Sequence, residues 1–168
     1  MNLKSKLSET RVLWLSFAAT LLITIAFPVV VSTWGLTLLD AISNPDAART
    51  AIAAMSEPQR HVHAWMTATL DVAYPFAYAS LFFGSAHKFF PKIGWLLSIP
   101  AVLLLPIDLV EGVIQIMALT DVADALSLKA VLTTSKQVLF LTGIVFTIAG
   151  WIKWVIVRFT LNQNSRGH

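Results

Sequence analysis

Apolar residues fall into four long runs separated by shorter polar stretches, at 12–39, 62–86, 93–119 and 130–157. A helix needs about 20 mostly apolar residues to cross the hydrocarbon core of a bilayer. Each run is rich in Leu, Ile, Val, Phe and Ala all the way round, not along one stripe, as suits a helix that faces lipid. The pattern predicts an all-α, polytopic membrane protein: four transmembrane helices in an antiparallel bundle, forming a single membrane domain over 1–168. The interval 40–61 is the one long loop. Within it, Asn44 suits a helix cap and Pro45 a first turn, ahead of a short outer surface helix over 47–55. The polar tail 162–168 is expected to fray.

Composition sharpens this reading. Hydrophobic residues make up 57% of the chain and charged residues 12%, with mean hydropathy +0.73, whereas a soluble domain carries about a quarter charged residues. There is no cysteine, which removes disulfides, thiolate metal sites and cysteine nucleophiles.

Charge asymmetry predicts orientation. Lys4, Lys6, Arg11, Lys88, Lys92, Lys153, Arg158 and Arg166 fall on one side of the four runs, and Arg49, Arg60 and Lys129 on the other. The positive-inside rule then places both termini in the cytoplasm, in a bacterial inner (plasma) membrane. The net charge of +3 reflects this bias, so no nucleic-acid partner is inferred. Trp14, Trp95, Trp151 and Trp154 fall near the cytoplasmic ends, and Trp34 and Trp65 near the outer ends, as interfacial belts require. The first run far exceeds the roughly 7–15 apolar residues of a signal peptide and closes without a small-residue cleavage site, so it reads as a retained helix.

Four ionisable residues lie inside the runs. Counting about 1.5 Å per residue from the outer ends, Asp71 is roughly 13 Å deep, Asp108 16 Å, Glu111 12 Å and Lys136 9 Å. Three helices thus bring them to one layer. A lone charge at the bilayer centre costs at least about 2.5–3.5 kcal/mol, and gathered groups can pair. Asp108, Glu111 and Gln115 form one stripe on the third helix, and Asp71, Tyr74 and Tyr78 another on the second. The two tyrosine hydroxyls need acceptors at that depth, which carboxylates across the interface would supply. Ala73, Ala77, Ser80 and Gly84, and on the fourth helix Gly143, Thr147 and Gly150, are small-residue ridges suited to close packing. Pro28, Pro75, Pro100 and Pro106 are expected to kink their helices.

With all four groups ionised the layer would carry two excess negative charges. Either a carboxyl is protonated, with Glu111 or Asp108 the expected acid because they lie one turn apart, or a cation sits there. The candidate ligand-binding residues are Asp71, Tyr74, Tyr78, Asp108, Glu111, Gln115 and Lys136, facing a small polar or lipid-headgroup ligand. Two other readings stay open. One is a proton-linked carrier or membrane enzyme using the same groups. The other is an accessory or assembly subunit in which the layer is a structural clamp. No ionisable relay continues toward the cytoplasmic side, which favours a blind pocket over a through path. His61 and His63 lie above the layer, but neighbours two apart on a helix diverge, so no metal site is expected. No haem pair, Walker loop, G-x-S-x-G or H-E-x-x-H is present, no cofactor is inferred, and enzymatic activity is left open. The bilayer is the expected partner, with room for a homo-oligomer.

Asp71-x-x-x-Pro75-x-x-Tyr78, Pro106-x-Asp108-x-x-Glu111 and Thr133-x-x-Lys136 resemble a pattern in a group of small, uncharacterised four-helix bacterial inner-membrane proteins. The resemblance spans roughly 44–158. It implies that the polar layer is a shared feature of that group and implies nothing about substrate.

Overall fold

The computed structural model describes residues 3–164, and the regular structure among them is entirely helical. A short α1 (Leu3–Leu7) precedes α2 (Thr10–Trp34). The run expected over 12–39 therefore ends early. Gly35 adopts φ 60°, and its N–H bonds back to Val31 O, the left-handed stop that glycine accommodates best. The chain then turns through a 3-10 segment, Leu39–Ala41, which buries Leu39 and holds Asp40 at the edge of the interior.

In α3 (Pro45–Ala54) the Asn44 side chain accepts from the backbone N–H groups of Asp46 and Ala47 at 2.9 and 3.0 Å. This satisfies two of the donors a helix start leaves open. The helix buries Ala48 and Ile52 in a cluster with Leu39, Leu119 and Leu126. It is a surface helix with one apolar face, close to the expected 47–55.

The second run is longer than 62–86. α4 (Glu57–Met66), a π-turn (Thr67–Asp71) and α5 (Val72–Phe89) follow one another without a break. Gln59 caps Ser56 N and also donates to Trp34 O and Gly35 O, tying this segment to the end of α2. The third run divides at Ser98 into α6 (Gly94–Leu97) and α7 (Ile99–Leu119). Pro100 consequently sits in the first turn of α7, where its missing N–H costs nothing, and does not kink a helix interior. Pro28, Pro75 and Pro106 do lie inside helices. The last run is one helix, α8 (Leu126–Asn164), longer than 130–157 at both ends. The tail expected to fray is helical through Asn164, and 165–168 lie outside the described residues.

Three helical stretches are long and apolar enough to cross a membrane: Thr10–Trp34, Gly94–Leu119 and Leu126–Thr160. The α4–α5 stretch is more polar and takes the interior position, with α2, α7 and α8 all packed on α5. α2 leaves Leu15, Leu21, Leu22, Ile25 and Val29 exposed, the surface a lipid-facing helix presents. Leu13, Tyr78, Leu81, Phe82, Phe89 and Leu104 form the main apolar core. The ridge on α8 is real: a Cβ on Gly143 would come within 2.4 Å of the Phe82 ring, and one on Gly150 within 2.7 Å of Phe89. On α5 a Cβ on Gly84 would meet Leu7 O at 2.1 Å, while Ala73 is exposed.

Gly84→Ala should lower stability by about 1–3 kcal/mol, because backbone and not a flexible side chain must move. Gly112→Ala, whose Cβ would sit 3.5 Å from Thr67 Cγ2, should be neutral or stabilising, since it removes a helix-interior glycine. Unfolding midpoints of the two variants in detergent micelles check this.

Outside the apolar stretches, Arg49 on α3 bonds Asp124 at 2.7 Å and Asp46 at 2.7 Å. Asp124 also accepts from Leu126 N at the start of α8. The guanidinium of Arg49 and that backbone N–H hold the Asp124 carboxyl below its usual value of 3.8. A depressed carboxylate contributes stability that is complete above its unfolded value and is lost as pH falls through the folded one. The midpoint difference between the wild type and Asp124→Asn should therefore be present at pH 7 and close as the pH drops below about 3.8. A difference that persists in acid would remove the ion pair as its cause.

Candidate functional site

The site grows from one fully buried carboxylate. Glu111 on α7 has no exposed surface, and an isolated buried carboxylate is prohibitively costly. It is met from three sides. Oε1 accepts the Thr133 hydroxyl and lies 3.2 Å from Lys129 Nζ, and Oε2 faces Lys136 Nζ. Lys129, Thr133 and Lys136 are spaced i, i+4, i+7 and so share one face of α8. Lys129 is 1% exposed and donates to Leu39 O at 2.8 Å, so the same cluster pins the 3-10 turn.

Lys136 extends the network. Its Nζ is 2.9 Å from Asp108 Oδ1 and 3.3 Å from Asp40 Oδ1. The other oxygen of Asp108 accepts the Tyr78 hydroxyl from α5. Tyr78 was expected to find a carboxylate and does. Tyr74 instead bonds Thr24 Oγ1 on α2 at 3.0 Å, with its ring perpendicular to that of Tyr78 at 5.0 Å.

Asp71 differs from the other carboxyls. It closes the π-turn, and Pro75 four residues on has no N–H to give its carbonyl. No ammonium lies within 4 Å of its carboxyl, and its buried Oδ2 has no hydrogen-bond partner. Glu111 and Asp108, the two expected acids, both have ammonium partners, and Asp71 has none within 4 Å among the described residues.

Asp40, Asp71, Tyr74, Tyr78, Asp108 and Lys136 line one cavity of about 430 Å³ between α2, α5 and α8. Its remaining wall is mostly apolar, including Phe27, Pro28, Val31 and Phe140. Five of the seven sequence-predicted residues therefore converge on it. Glu111 lies behind the Asp108–Lys136 pair and does not line it. Gln115 turns to Thr67 Oγ1, 2.9 Å away, and its buried Oε1 has no partner.

Two members were missed. A last helix beginning at 130 leaves Lys129 in the outer loop. Its i, i+4, i+7 relation to Thr133 and Lys136 was the available signal. Asp40 follows the helix stop at Gly35 and reaches the site by a turn that periodicity does not reveal.

The two histidines separate as helical spacing requires: His61 accepts from Trp65 Nε1 at 3.0 Å, while His63 is buried against Thr37 O at 3.1 Å. Among the described residues no group of three His, Asp or Glu could hold a metal. Comparison with family models, with curated proteins and with solved structures finds no match for this chain.

Breaking a buried ion pair by removing one partner typically costs about 3–5 kcal/mol. Glu111→Gln should fall in that range, since it removes the buried carboxylate that faces both Lys129 and Lys136. Asp71→Asn should cost far less, since it strands no cation. Chemical unfolding in mixed micelles distinguishes them; equal losses would refute the assignment of Glu111 as the central partner.

Proposed function

We propose that this is an integral membrane protein of four spanning segments that binds a small polar or lipid-headgroup ligand at the Asp40/Asp71/Asp108/Lys136 cavity. The observation that carries the reading is Asp71: a carboxyl on a cavity wall with a buried oxygen that no hydrogen bond among the described residues satisfies. Buried polar atoms without partners are uncommon in folded proteins and call for an explanation. Intramembrane ionisable residues are functional candidates by default.

The fourth span is α4–α5, whose helical residues run from 57 to 89. Its antiparallel relation to α7 is supported by contacts in opposite order, Tyr78 to Asp108 and Thr67 to Gln115. Glu111 and Lys129 against Asp108 and Lys136 give the same sense for α7 and α8. Trp14 packs on Trp151, and Trp151 on Trp154. Lys88 bonds Thr10, and Lys153 bonds Phe89 O. This aromatic and basic end supports a cytoplasmic placement of both termini in a bacterial inner membrane.

The structural-clamp reading is supported by the other half of the cluster. Lys129 and Thr133 both meet Oε1 of Glu111, and the three line no part of this cavity and join α7, α8 and the 3-10 turn. We assign them the clamp and the cavity-lining half the site.

Native mass spectrometry of protein released gently from its membrane tests the reading. A stoichiometric extra mass is expected on the wild type and should be lost in Asp71→Asn, with the helical content of the variant unchanged. Bare protein in both samples would overturn it.

A further inference from the structure

The cavity is one end of something longer. A second cavity of about 530 Å³, lined by Trp14, Leu21, Leu81, Ile148 and Trp151 among others, shares Thr24, Tyr74 and Phe140 with the first. Both run between α2 and α8, which lean on α5 from two sides. From Lys136 to Trp151 is fifteen helical positions, about 22 Å at 1.5 Å per residue. That exceeds the roughly 15 Å that one leaflet contributes to a bilayer core of about 30 Å.

The wall of the second cavity offers little to water. The hydroxyls of Thr20 and Thr24 bond back to the carbonyls of Ser16 and Thr20 at 2.7 and 2.8 Å. Apolar cavities stay dry and take apolar occupants. At the polar end, four carboxyls (Asp40, Asp71, Asp108, Glu111) stand against two ammoniums (Lys129, Lys136). The surplus is negative, and Asp71 is the carboxyl that no ammonium reaches.

Resting on the proposed ligand site, we infer that the α2–α8 cleft holds one alkyl chain of an amphiphile whose ammonium head group sits at Asp71. The head supplies a donor to Asp71 Oδ2 and one of the two missing positive charges. The chain lies along Tyr74, Phe140 and Leu21 toward the Trp14–Trp151 pair. An anionic head would add to the negative surplus, and a short amine would leave the second cavity unfilled.

The experiment titrates the purified full chain in non-ionic detergent with hexadecylamine, butylamine and hexadecanoic acid, reading adducts by native mass spectrometry. Hexadecylamine should bind one-to-one, at least tenfold more tightly than butylamine, with no hexadecanoic acid adduct. Asp71→Asn and Leu21→Trp should each weaken hexadecylamine at least tenfold. Leu21 is exposed on the cleft wall, so the larger ring fills the cleft without entering the core.

Equal binding of the long and short amines, or loss in Asp71→Asn with no effect of Leu21→Trp, would overturn the chain placement and leave the polar site standing. Hexadecylamine binding indifferent to Asp71→Asn would overturn the polar site itself. Hexadecanoic acid binding as well as the amine would overturn the ammonium head. A dimer without adducts would make the cleft an interface between copies and overturn the inference. The chain-length comparison uses the wild type alone, so it holds even if a variant fails to fold.

Discussion

A carboxylate with no exposed surface, held between two ammoniums, is the constraint around which the rest is arranged. Glu111 on α7 engages Lys129 and Lys136 on α8, and through them the Leu39 carbonyl, Asp40 and Asp108. Asp108 in turn holds Tyr78 on α5. Buried ion pairs add little net stability, because desolvation offsets attraction. Their effect is on geometry, since any slip of α7 against α8 would strand a charge. Between helices in lipid there is no hydrophobic drive to choose a register. The polar cluster chooses it, while the glycines at 143 and 150 let α8 close on Phe82 and Phe89 of α5.

The segment that receives these contacts is the least apolar of the long helical stretches and the most irregular. The π-turn at 67–71 and Pro75 just beyond it both break the backbone hydrogen-bond ladder of α5. Non-ideal backbone at membrane depth is tolerated where it is buried in protein or lines a cavity. Asp71 closes the π-turn and stands on the cavity wall, so irregularity and site coincide. Thr67, in the same turn, carries Gln115 on α7. The irregular turn therefore touches the clamp side and the open side at once.

Much of this was legible in the residues. Intramembrane charges at matched depths, stripes at i, i+3, i+7 and the small ridge on the last helix follow from helical geometry applied to an apolar background. They brought Asp71, Tyr74, Tyr78, Asp108 and Lys136 to one place. What was not legible depended on where helices stop. Gly35 ends α2 five residues before Asp40, and the turn that follows carries Asp40 inward. Beginning α8 at Leu126 turns Lys129 from a loop cation into a core one. Hydropathy marks the apolar stretch of a helix and not its first turn, so polar residues at that boundary were misplaced. The π-turn has no hydropathy signature, and Pro75 marks only its neighbourhood.

The uneven saturation of the cluster carries the functional argument. A clamp alone would be expected to satisfy every buried group, because each unsatisfied one costs free energy. Here the oxygens of Glu111 and Asp108 meet ammonium or hydroxyl partners, whereas Asp71 Oδ2 and Gln115 Oε1 meet none. On the α2 side no ammonium lies within 4 Å of Asp71 among the described residues, its Oδ2 has no partner, and the wall beyond it is apolar for most of its length. On the proposed reading, the surplus of two negative charges is lowered by one, either by a proton on Asp71 or by the ammonium of the ligand, and the two exclude each other. Binding then exchanges one proton for one head group without disturbing Glu111 and its two lysines. The clamp keeps α7 and α8 in register, and α2, which packs mainly on α5 and meets α8 at the Trp14–Trp151 pair, leaves the cleft open between them.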